Sequence, residues 1–82
     1  MRWPQRGHAL AQYALGQMYA AGTGTQVDRV KGYAWLAAAA AQGAAGAAEA
    51  RDALLAHMDP GEIDDARSEA QRLLDAQPVG AR

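Results

Sequence analysis

The chain has 82 residues, a formal net charge of −1 and no cysteine. A chain this short makes one small domain, with no disulfide framework and no thiolate chemistry. It also lacks the dense basic stripe that nucleic-acid binding requires. The charge is unevenly placed: residues 1–43 carry Arg2, Arg6, Arg29 and Lys31 against Asp28, a net +3, whereas residues 44–82 carry a net −4. The opening MRWPQRGHAL holds no apolar signal segment. The longest apolar run, Ala34–Ala41, falls far short of the roughly 20 residues that span a bilayer. These features predict a soluble, cytoplasmic protein with no membrane span.

β-branched residues are few and nothing alternates between apolar and polar, so strands are not expected; helical spacing runs through the chain. The first predicted helix covers about Gln5–Ala20, with Pro4 before its first turn and Gly22 after its last. Leu10, Ala14, Leu15 and Met18 fall on one stripe of it. The second covers about Asp28–Gln42, with Asp28 as N-cap and a small-residue stripe of Val30, Ala34, Ala37, Ala38 and Ala41. The third covers about Ala44–His57, lined by Ala47, Ala50, Leu54, Leu55 and Met58. The fourth has the clearest start: in MDPGEID, Asp59 is the N-cap, Pro60 the first helical residue, and Glu62 follows three after the cap. Its apolar face is Ile63, Ala66, Ala70, Leu73 and Leu74, ending near Ala76, and residues 78–82 form a frayed tail.

The links between these helices are short, which makes sequential helices antiparallel neighbours. The expected fold is all-α: two antiparallel helical hairpins stacked as a short α-solenoid, in one domain of residues 1–77. Gly16 supports close packing within the first hairpin. A glycine inside a helix costs about 1 kcal/mol against alanine, and an approaching alanine-rich helix explains its presence.

An internal echo at an offset of 36 residues sets Gly7 against Gly43, Ala11 against Ala47 and Met18 against Leu54. More specific is the register of Ala9, Ala11, Leu15, Gly16, Tyr19, Gly22, Gly24, Asp28, Lys31, Trp35, Leu36, Ala39, Ala40 and Gly43. In it, residues 8–43 resemble the SEL-one-like repeat (SLR), a relative of the tetratricopeptide repeat. Residues 44–77 resemble the helix pair that often closes bacterial proteins of this family. Two positions depart from the pattern. Thr25 stands where an apolar residue is usual, with Val27 near enough to fill the place. Gly32 stands where alanine is usual, and both changes are expected to loosen the entry to the second helix. The resemblance also implies an earlier hairpin, which this sequence does not show before residue 8, leaving one side of the first helix open.

The resemblance implies a protein-binding scaffold or adaptor whose groove is lined by the first helix of each repeat. By that analogy Tyr13 and Gln17 face the groove with Leu10 and Ala20 beside them, and self-association through the open N-terminal edge is the further expectation. Trp3, just outside the first helix, either folds onto the core or docks on another chain. Tyr19 and Trp35 fit core positions of the family.

Other chemistries find little support in the residues. His8 and His57 are the only histidines, and metal sites need three or four converging ligands. Gly22-Thr23-Gly24 lacks the Lys-Ser/Thr and the preceding strand of a phosphate loop, so it reads as a turn. Glu62, Asp64, Asp65 and Glu69 suit the N-terminal dipole of a helix better than a paired-carboxylate site. The sequence therefore predicts no catalytic, cofactor or metal residues and a non-enzymatic protein. The alternative to an adaptor is a dedicated inhibitor or small accessory subunit of one enzyme or membrane complex.

Overall fold

A computed structural model gives the fold, with residues 5–76 described. They form four α-helices and, among the described residues, no strand: α1 Gln5–Ala21, α2 Arg29–Ala41, α3 Ala47–Leu55 and α4 Pro60–Ala76. Trp3 and the predicted tail lie outside the described residues.

The helix ends follow from local chemistry. At α2 the extended Asp28 accepts a hydrogen bond on its carboxylate from the Lys31 N–H at 3.1 Å. At α4 the Asp59 carboxylate accepts from the Glu62 N–H at 2.8 Å, ahead of Pro60 at the first helical position. Each bond satisfies an N–H that the first turn leaves without a backbone partner. α1 closes with the Gly22 and Thr23 N–H groups both donating to the Met18 carbonyl, at 2.8 and 3.0 Å. Gly22 takes a φ of 76°, a left-handed conformation that costs a side-chain-bearing residue about 1–2 kcal/mol.

α3 is shorter than the spacing predicts, beginning at Ala47 instead of Ala44 and ending at Leu55 instead of His57. The reason lies at the end of α2. The Gly43 N–H donates to the Ala40 carbonyl and the Ala44 N–H to the Ala39 carbonyl, both at 3.0 Å. This closure commits Ala44 to the previous helix. Gly46, left-handed at φ 83°, then turns the chain into α3. The other end tightens into three-residue turns, with Ala56, His57 and Met58 donating to the carbonyls of Ala53, Leu54 and Leu55.

α2 is the centre of the molecule. It packs against α1 most extensively, then α4, then α3. Its sequence RVKGYAWLAAAAA is apolar nearly all round, which is what a helix enclosed by neighbours requires. Gly32, Tyr33, Ala34, Leu36, Ala37, Ala38 and Ala39 are all buried. α1 and α2 form a close antiparallel pair, residue 16 facing 36 while 20 faces 32. α3 and α4 do not repeat this arrangement. Nine residues of α3, about 14 Å of helix, are too few to line the seventeen of α4. α4 lies mainly on α2 instead. The end of α3 joins them through side chains: Tyr33, Ala34, Ala37, Met58, Ala66 and Ala70 form one buried cluster, with Leu54, Leu55, Ile63 and Leu73 packed against it.

Four expectations change. From Ala9 onward the buried residues of α1 are Ala9, Gln12 and Gly16, whereas Leu10, Ala14 and Met18 of the apolar stripe face outward, Leu10 at 53% exposure. The departure at Gly32 does not loosen the entry to α2; it tightens the pair. A Cβ built on Gly32 would lie 3.1 Å from the Ala20 amide nitrogen and 3.2 Å from the Gly16 carbonyl oxygen. Val27, expected to fill an apolar place, lies over Gly22 but stays half exposed. Tyr19 and Trp35, expected in the core, are each only partly buried, and among the described residues Tyr33 is the buried aromatic.

Candidate functional site

Because α1 and α3 both pack on α2 without packing closely on each other, a cleft opens between them. Gln17 and Ala20 supply the α1 wall, Ala50, Ala53, Leu54 and His57 the α3 wall, and Leu36 of α2 the floor. Ala20, Leu36, Ala50, Ala53 and Leu54 are apolar, with one carboxamide and one imidazole among them. Its volume is about 260 Å³ and it is open to solvent. That lies just under the roughly 300–1,000 Å³ of small-molecule pockets and suits one or two inserted side chains.

The walls follow from residue size and spacing. Ala50, Ala53, Leu54 and His57 recur at three- and four-residue intervals, so they share one face of α3 and its closing turn. Alanine at 20, 50 and 53 keeps both walls low, and Leu36, only 1% exposed, closes the base beneath them. Tyr13 lies beside the cleft, between Gln17 and the start of α3. Its hydroxyl accepts a hydrogen bond from Gln17 Nε2 at 3.3 Å and lies 3.6 Å from where a Cβ on Gly46 would sit.

The predicted partner-binding residues divide between two surfaces. Gln17 and Ala20 line the cleft and Tyr13 adjoins it through Gln17. Leu10 belongs to the outward face of α1, and Trp3 lies outside the described residues. The α3 contribution was missed. His57 reads in the sequence as a helix-end residue, and its place opposite Gln17 depends on how α3 seats on α2.

Among the described residues no group of three or more His, Asp or Glu is placed to hold a metal ion, and no helix is long and apolar enough to cross a membrane. No family model matches the chain, and no curated protein matches it.

Proposed function

We propose that this protein is a non-enzymatic interaction scaffold that binds a segment of another protein in the cleft between α1 and α3. The observation that carries the reading is the cleft itself: shallow, apolar-floored, and lined by side chains suited to packing and hydrogen bonding. We further propose that residues 8–43 are a SEL-one-like repeat and residues 44–77 its closing helix pair. The fit of Gly16 against Leu36, the Gly22 turn and the Asp28 cap support this, since each of these four register residues has a distinct structural task. On this reading α1 and α3 are the paired inner helices of a short α-solenoid, and the protein works as an adaptor in the cytoplasm.

The test is selection from a short-peptide display library on the immobilised chain, repeated with Ala53→Glu. Ala53 is exposed at the cleft wall, so the charge alters the site without entering the core. The expected result is a set of peptides sharing an apolar anchor that bind Ala53→Glu at least about ten-fold more weakly, a difference of about 1.4 kcal/mol. Peptides indifferent to the substitution, or none enriched, would overturn the reading.

A further inference from the structure

The cleft between α1 and α3 has one neutral wall and one with an acidic edge. From Ala9 to Val27 the sequence holds no charged residue, so the α1 wall brings none. On α3, Glu49 is exposed one turn before Ala53, which places it at the edge of the wall that Ala50 and Ala53 form. Among the described residues Glu49 is in no ion pair. The basic side chains of α2 and α3 are engaged elsewhere: Arg29 with Glu62 at 3.9 Å, Arg51 with Asp52 at 3.0 Å, and Lys31 5.7 Å from the centre of the Tyr19 ring. The helix ends add to the same sign. α1 and α3 run in one direction, since Tyr13 adjoins Gly46 at the start of α3 and the cleft continues to Ala20 and His57 near the two C-termini. Two sets of terminal carbonyls, each with partial negative charge, therefore share one end of the cleft. Neither last turn carries a basic residue. His57 is the ionisable residue in the lining, and a neutral imidazole offers an acceptor as well as a donor.

We propose that the segment held in this cleft is basic: an apolar side chain seated over Leu36, flanked on the chain by lysine or arginine. The inference rests on the protein-binding reading of the cleft and adds the charge of its occupant. Charge complementarity selects it. A cation on one side of the anchor meets Glu49, and a cation on the other side meets the paired carbonyl ends. An acidic segment would meet like charge at both places, and like charges brought together disfavour a partner. The uncharged α1 wall opposes neither, so the discrimination comes from the α3 edge and the helix ends. Contacts of this kind sit at a solvated rim, where they set partner choice and salt dependence more than total affinity.

The test uses three synthetic peptides with a central leucine in a Gly-Ser background, differing only in whether lysine, glutamine or glutamate flanks the leucine. Fluorescence anisotropy at pH 8 measures their binding to the full chain, to Glu49→Gln, and to Ala53→Gln, which fills the cleft without changing its charge. Both substituted residues are exposed, and circular dichroism establishes that each variant is folded. The lysine peptide is expected to bind tightest and the glutamate peptide weakest, about three-fold or more apart at low salt. That gap should narrow as salt is raised. Glu49→Gln should weaken the lysine peptide and leave the glutamine peptide unchanged, whereas Ala53→Gln should weaken all three. Glu49 also lies in the first turn of α3, where an acid stabilises the helix. If that were its whole effect, Glu49→Gln would weaken the lysine and glutamine peptides alike, and the proposal would fall. Equal affinities for the three peptides, all reduced by Ala53→Gln, would overturn the basic occupant and leave the cleft as a binding site. No binding by any peptide, or binding that Ala53→Gln leaves unchanged, would overturn both.

Discussion

A methyl group added at Gly16 would sit 2.8 Å from Leu36 Cγ and 3.0 Å from the Leu36 amide nitrogen. A side-chain tip can swing away, but a backbone nitrogen moves only if α2 moves. Overpacking of this kind costs about 1–3 kcal/mol, against about 1 kcal/mol gained by replacing a helix-interior glycine with alanine. Gly16→Ala is therefore expected to lower stability by on the order of 1 kcal/mol, read as a lower urea midpoint with an unchanged slope. A raised midpoint would mean that the two helices separate easily at this point. The role of Gly16 was legible because its poor helix propensity demanded a compensating contact. The direction of Leu10 and Met18 was not legible. Periodicity groups them on one stripe, but the side α2 occupies is decided by how closely its backbone can approach, and the small residues at 9 and 16 admit it where leucine and methionine would not.

Among the elements, α4 was legible and α3 was not, for opposite reasons. The start of α4 is written in side chains: a carboxylate that caps, a proline with no N–H to lose, and an acid in the first turn. Asp59→Ala should cost about 0.5–2 kcal/mol, seen as a lower thermal midpoint, while Asp59→Asn, which keeps an acceptor oxygen, should retain most of the stability. Equal losses in both variants would point to charge rather than the hydrogen bond as the source of the cap's effect. The start of α3 is written in the backbone. Ala44, Ala45, Ala47 and Ala48 have the same helix propensity, so no side chain distinguishes the residues that finish α2 from those that begin α3. The closing bonds of Gly43 and Ala44 onto α2 decide it. The α3 wall of the cleft inherits that illegibility, because where Ala53 and His57 point depends on where the helix begins and how it seats.

For the whole molecule, the arrangement around α2 makes stability unequal along the chain. Opening α2 requires separating it from three neighbours, whereas α3 is short and partly exposed, held by buried Ala47 at its start and by half-buried Leu54 and Leu55 at its end. Ion pairs add little: Arg29 and Glu62 link α2 to α4 at 3.9 Å with both side chains substantially exposed, and such pairs contribute about 0–1 kcal/mol. Amide hydrogen exchange should therefore be slowest at Ala37, Ala38 and Ala39, at the rate set by global unfolding, and at least about ten-fold faster within Ala50–Leu55. Equal protection in both segments would show that α3 opens only with the whole fold.

The composition of the interior carries one more consequence. The most deeply buried positions are mostly alanines, at 9, 34, 38, 39, 47 and 66, closed by Gly16 and Gly32. These side chains have no rotamers to lose on burial and none to regain on release. A compact state with loosened side chains over an intact backbone draws its advantage from regained rotamer freedom. Along the α1–α2 contact that advantage is nearly absent, so the two helices are either seated or apart, with little room for a softened intermediate form between them.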